Sequence, residues 1–356
     1  MSSRNVLRAV TLLGALALTA IGWRLVAPIS TPPFRGADGR PSPRSIASVE
    51  RWRINGIDQS VIIRGRDRNN PILIWVHGGP GSSETPPLRR FDAGLEEHFV
   101  VVYWDQRFAG QSFDPRAPKP AHLTIQQYVD DLGVVVDRLL AQLAQRKVLV
   151  VGHSWGTVPG ILYAEQHPEK LFAYVGVGQV ADVPESERRS YDFVLKQARS
   201  RGDTKAIREL ELMGPPPRPH GSAFTPRDLL QTFGGSFHGD GSYLKLIAQS
   251  LGQSEYNWRD LAAFQGAPAY SAKLLNTEFA TFRIDDRPRT YGVPMFLVSG
   301  RSDHQSEASV AYEFFERISA PQKAFVWFEK SGHNPPFEEP VAFQAWLIKT
   351  VRPLGN

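Results

Sequence analysis

The 356-residue chain contains no cysteine. That excludes disulfides, a thiolate nucleophile, cysteine metal ligands and a lipidated cysteine, so the compartment must be read from other features. The sequence also lacks an HExxH motif, a histidine cluster at metal-ligand spacing, a Walker lysine and a dinucleotide fingerprint, and on this ground no metal and no nucleotide cofactor are expected. No internal repeat or low-complexity tract is evident. The net charge of +5 is unevenly spread: residues 1–70 hold 11 Lys and Arg against 4 Asp and Glu, which leaves the remainder at −2. With no basic stripe interleaved with aromatics, nucleic-acid binding is not expected.

Long apolar runs are scarce as well. The uncharged stretch AVTLLGALALTAIGW runs from Ala9 to Trp23, follows Arg4 and Arg8, and ends at Arg24. A positive start and a short apolar run are the pattern of an export signal, and its 15 residues lie between a signal-peptide core and a membrane span. Residues 1–27 therefore read as a signal peptide, cleaved after Ala20, or as an N-terminal membrane anchor. Either implies an exported, periplasmic or membrane-attached protein. Residues 28–47 carry five prolines and read as a linker, with folding starting near Ser48.

The rest of the chain can build a large core, since 42% of the sequence is hydrophobic. VERWRI and QSVIIRG suggest a hairpin. PILIWVHG and HFVVVYWDQR read as buried strands, and KVLVV, LFAYVGVGQV, PMFLVSG and KAFVWFEK as further strands, separated by helical patterns such as the one beginning near Thr124 and the last, which Pro340 opens. Such alternation implies an α/β fold with a mostly parallel sheet flanked by helices. Residues 182–290 interrupt it with helical patterns and the breaker GPPPRP, and read as a helical cap inserted into a core of residues 48–181 and 291–356.

The densest chemical signal is GHSWG at 152–156, directly after the strand KVLVV and before a helical pattern. A nucleophilic serine on a strand-to-helix turn needs small residues two before and two after it, and Gly152 and Gly156 meet that need. A serine hydroxyl is a weak nucleophile, so a base must take its proton and a third group must orient the base. Asp303, just beyond PMFLVSG, and His333, just beyond KAFVWFEK, come after Ser154 in the chain order that this architecture uses. Read alone, Asp303 could cap a helix and His333 could be a loop histidine. The loop HGGPG at 77–81 comes after a strand and offers backbone donors, so Gly79 and Trp155 are the expected oxyanion pair. His153 should face the other side of its strand, packed or hydrogen-bonded. Asp105 and Arg107 read as braces of the loop rather than proton carriers.

HGGPG, YWDQR and GHSWGT, in this order, resemble the proline iminopeptidase family of α/β-hydrolases, over a span from about Val61 to the end. The resemblance implies the α/β-hydrolase fold, a Ser154–Asp303–His333 triad, an oxyanion hole at Gly79 and Trp155, and removal of an N-terminal residue, often proline, whose amine is held by acidic cap side chains. Glu187, Glu209, Glu211, Glu255 and Glu278 are the cap acids on offer, none of which can be matched to the family's amine-binding positions. The chain departs from the family at Phe108, where glycine is usual, and a ring there is expected to reshape the substrate pocket. The partner is thus a small peptide or acyl substrate. A carboxylesterase or lactonase is the alternative chemistry, and a non-catalytic binding protein of the same fold is the alternative outside enzymes.

Overall fold

A computed structural model describes residue 22 and residues 28–116, 120–218, 224–257, 260, 266–284 and 289–355. The stretch read as signal peptide or anchor lies outside the described residues, Gly22 aside. Among the described residues, no helix is long and apolar enough to cross a membrane.

Eight strands form one sheet in the order β1-β2-β4-β3-β5-β6-β7-β8. They are β1 Ile46–Ile54, β2 Ile57–Gly65, β3 Ile72–Val76, β4 Val100–Asp105, β5 Val148–His153, β6 Leu171–Val177, β7 Met295–Gly300 and β8 Lys323–Phe328. The first two pair antiparallel as a hairpin, β2 pairs antiparallel with β4, and from β4 to β8 all pairing is parallel. Parallel strands covered on both faces need side chains that are apolar in both directions. ILIWV in β3 meets that demand: Ile72, Ile74 and Val76 enter one core, Leu73 and Trp75 the other.

The first core is closed by α2 (Ile125–Leu143) and α3 (Thr157–Gln166), through Tyr128, Leu132, Val136, Val158 and Ile161. Thr124 caps α2 in a reciprocal box with Gln127, which satisfies donors that the first turn leaves open. The second core is closed by the helix Pro340–Thr350, whose Phe343 and Leu347 are fully buried, and by Leu88 of α1 (Thr85–Phe91).

Between β6 and β7 the chain leaves the sheet and forms α4 (Val183–Arg201), α5 (Thr204–Met213), α6 (Arg227–Thr232), α7 (Tyr243–Ser250) and α8 (Ala267–Ala280). Residues 28–47, read from composition as a tether, touch the domain at several points and enter its sheet at their end. Phe34 is buried with the Arg64 guanidinium 4.8 Å from its ring centroid, Thr31 donates to Glu255 at 2.7 Å, and β1 starts at Ile46 rather than Ser48. Prolines disfavour regular structure but not burial of a neighbouring ring, so composition alone misses such contacts.

Candidate active site

The strand order reverses direction around β3, which lies between β4 and β5, and sites on open α/β sheets form beyond the carboxyl ends of strands at such a point. Val76 of β3 is in register with Gly152 of β5, so HGGPG and the serine turn emerge side by side. Ser154 sits at φ +52°, a conformation that costs an L-residue roughly 1–3 kcal/mol and that the surroundings must impose. They do so by close approach. A Cβ on Gly156 would lie 1.9 Å from the Val76 carbonyl oxygen, and one on Gly152 would lie 2.6 Å from the Gly156 oxygen.

Three strand ends bring Ser154, His333 and Asp303 together. Ser154 Oγ is 2.8 Å from His333 Nε2, and His333 Nδ1 is 3.0 Å from Asp303 Oδ2. The partners assign the protons: Nδ1–H donates to the carboxylate, which leaves Nε2 free to accept from the hydroxyl. Both the imidazole and the carboxyl are buried. Burial alone would raise the Asp303 pKa, but the adjacent His333 and the backbone N–H groups of Ser306 and Gln305 outweigh it, and the pKa is lowered. Oδ1 accepts those two N–H groups at 3.0 and 2.9 Å, so Asp303 both turns its loop and faces the histidine.

The histidine loop is held from several sides. His333 N–H and the Asn334 amide both donate to the Ser236 carbonyl, at 2.8 and 3.2 Å. The Glu338 carboxylate accepts from the N–H groups of Gly332 and Asn334. Ser306, absent from the sequence reading, places its hydroxyl 3.0 Å from His333 Nδ1 and 3.3 Å from Asp303 Oδ2. Its position three residues after Asp303 was visible, but not the turn that folds it back.

A second buried pair lies behind the first. His153 is hydrogen-bonded at both ring nitrogens, with Nδ1 2.6 Å from Glu84 Oε1 and Nε2 donating to the His333 carbonyl at 3.0 Å. Glu84 also accepts from Gly78 N–H at 3.0 Å and from the Trp75 indole at 2.8 Å. Burial opposes charge on both members, yet each stabilises the other: the His153 pKa is raised and that of Glu84 lowered. Both shifts favour the ion pair, which ties the HGGPG loop to the His333 loop.

A cavity of about 60 Å³ opens on Ser154, with Gly79, Val183, Glu187, Phe279, Gln305 and Ser306 among its walls. Gly79 thus sits beside Ser154. Trp155 is the second residue of the helical turn Ser154–Gly156, where an N–H has no partner within the helix. Its indole donates to Gln106, whose own amide donates to the His77 carbonyl, so the two donor loops are cross-linked.

Asp105 and Arg107 both act as braces. Asp105 accepts from Ser83, from Tyr256 at 2.6 Å and from Gln111 N–H at 2.8 Å, and Arg107 binds Asp131 through two 2.7 Å contacts. Phe108 differs from the expectation. Its ring is buried with its centroid 5.3 Å from that of Tyr270 and does not line the cavity at Ser154. It adopts φ +57°, which explains why glycine suits this position. Phe108→Gly relieves about 1–3 kcal/mol of backbone strain but forfeits about 3–5 kcal/mol of ring packing. Net destabilisation should appear as a lower denaturant midpoint; a midpoint at or above wild type would show that the ring adds little.

Of the five cap acids, Glu187 alone reaches the small cavity, and its carboxylate is already engaged by Arg227 at 2.6 Å and Thr225 N–H at 2.7 Å. Glu255 is buried against Arg89 at 2.9 Å, Glu278 accepts from Ile125 N–H, Glu211 pairs with exposed Arg199, and Glu209 is exposed. Among the described residues, no group of three or more histidines and acids could hold a metal ion.

The α/β hydrolase fold family matches residues 71–340. A probable aminopeptidase, YbaC, of Bacillus subtilis is 29% identical over 314 residues, 88% of this chain and 98% of that protein. A probable proline iminopeptidase of Streptomyces coelicolor is 37% identical over 124 residues, 33% of this chain and 37% of that protein. The crystal structure of a proline iminopeptidase from Mycobacterium smegmatis superposes with a TM-score of 0.62 at 16% identity, covering 86% of this chain and 99% of that one. The chain belongs to the α/β-hydrolase fold family and is a proline iminopeptidase-like hydrolase.

Proposed function

We propose that the protein is a serine hydrolase that works through an acyl-enzyme, most simply as an aminopeptidase releasing a small N-terminal residue such as proline. The observation that carries this reading is the unbroken chain from Ser154 Oγ through His333 to Asp303, at 2.8 and 3.0 Å. Ser154 Oγ attacks the scissile carbonyl as His333 Nε2 takes its proton, and the carbonyl oxygen becomes an oxyanion facing the N–H groups of Gly79 and Trp155. His333 then gives that proton to the departing amine. Water, deprotonated by the same nitrogen, attacks the ester on Ser154 and frees the acid. Asp303 stays ionised throughout, in keeping with its lowered pKa.

The named relatives support the peptidase side, and the small cavity at Ser154 suits a compact acyl group. The pairing of Glu187 with Arg227 favours a second reading, an esterase or lactonase, because a carboxylate already neutralised holds an amine less well. Turnover of a prolyl amide with a free amine, the same amide N-blocked, and a short-chain ester separates the two. The peptidase reading expects the free amide to exceed the blocked one by at least about tenfold in kcat/KM, the size of one lost charge-assisted contact. Equal rates on both amides, with fast ester turnover, would replace it with the esterase.

A further inference from the structure

A second cavity, of about 400 Å³, is walled in part by segments that also carry the reaction centre. It falls in the range that encloses a substantial ligand group, whereas the cavity at Ser154 does not. Its walls include Pro86 and Pro87 of α1, Leu246 and Ile247 of α7, then Leu251 and Phe337. It shares structure with the reaction centre on both sides. Asn334, the residue after His333, lines it, as do Ser82 and Ser83 on the loop that carries Gly79. Glu84 lines it too, and Gly78 lies between the Glu84 carboxylate and Ser154: a Cβ there would meet Glu84 Oε1 at 2.8 Å and Ser154 Cβ at 3.2 Å.

We propose that this cavity is a subsite for an extended apolar group of the substrate, a hydrocarbon chain or large apolar side chain attached near the scissile carbonyl. The proposal rests on Ser154 being the nucleophile. Two observations select an apolar, uncharged occupant. The one carboxylate in the wall cannot act as a counter-ion, since Oε1 already takes His153 and Gly78 N–H, and Oε2 takes the Trp75 indole. The mouth is apolar as well: Ile247 and Leu251 line the cavity yet are 58% and 51% exposed, and Leu244, one helical turn before Ile247, is 76% exposed. Solvent-facing leucine and isoleucine at this spacing leave apolar area that a substrate chain entering the cavity would cover. The small cavity would then set the size of the group nearest the carbonyl, and the larger one would reward length beyond it.

The test uses the full chain and ethyl alkylfluorophosphonates with alkyl groups from methyl to octyl, read as second-order rates of covalent labelling. In each, the serine oxygen displaces fluoride at phosphorus and the alkyl group stays attached. The rate should rise about fourfold per methylene, as burial of hydrocarbon requires, and level off once the cavity is filled. In Ile247→Asp/Leu251→Asp, two exposed positions, the octyl-to-methyl ratio should fall at least tenfold while the thermal midpoint stays near wild type. Labelling that ignores chain length in the wild type, or a ratio that survives both substitutions, would overturn the subsite while leaving the serine mechanism intact. Absence of labelling at every length would overturn the nucleophile and the subsite with it.

Discussion

Ser154→Ala, His333→Ala and the double variant should each lower kcat by about the same amount, on the order of 10⁶, because a nucleophile and its base fail as a unit. The two side chains meet at 2.8 Å; of the other hydroxyls on the small cavity, Ser186 donates to the Ser306 carbonyl and Ser306 lies at Nδ1 of His333 rather than Nε2. Gln305, which lines it, cannot take a proton, and Glu187 is bound to Arg227. Asp303→Asn should cost less, about 10⁴, since its effect is to favour the wrong tautomer of His333. Steady-state kinetics on whichever amide or ester is turned over, with circular dichroism to show intact folding, check the set. Additive losses in the double variant would mean that Ser154 and His333 act in separate steps. A mild defect in Asp303→Asn would assign the orienting role to Ser306, whose hydroxyl also reaches Nδ1 at 3.0 Å.

Glu84→Ala should be strongly destabilising. It leaves the His153 imidazolium buried without its partner, an error that costs about 3–5 kcal/mol, and it strips acceptors from Gly78 N–H and the Trp75 indole. The gentler Glu84→Gln isolates the charge, and the two shifts set its pH dependence. His153 has a raised folded pKa, so its contribution is complete below the ordinary 6.5 and is lost as pH rises through the folded value. Glu84 has a lowered folded pKa, so its contribution is complete above the ordinary 4.5 and is lost as pH falls through the folded value. The gap in thermal midpoint between wild type and Glu84→Gln should therefore be widest between pH 4.5 and 6.5 and shrink on the alkaline side. A gap independent of pH would show that the two side chains share a neutral hydrogen bond.

The parallel strands were legible because burial on both faces leaves uninterrupted apolar runs such as ILIWV and VVVYW, bounded by glycine, proline or charge. Ser154, Asp303 and His333 were legible for a related reason: each comes within a few residues of the end of one of those runs, so locating the strand ends locates the side chains. Relations across the sheet left no such trace. Glu84 and His153 are 69 residues apart in no shared motif, and a glutamate after HGGPGSS looks like any loop acid until β3 and β5 are set in register. Glu187 was one cap acid among five, and its partner Arg227 lies on a different helix. Phe108 was noticed as a departure from glycine, but the ring's direction depends on where α8 brings Tyr270. The large cavity is the plainest case, since α1, α7 and the loop after β8 contribute its walls from segments more than 80 residues apart.

The most direct measurement is peptide mapping by mass spectrometry after treatment with a small fluorophosphonate. The serine mechanism expects a single phosphonyl adduct on the peptide bearing Ser154, lost in Ser154→Ala and strongly slowed in His333→Ala. An adduct on another residue, or none at concentrations that label serine hydrolases completely, would contradict it.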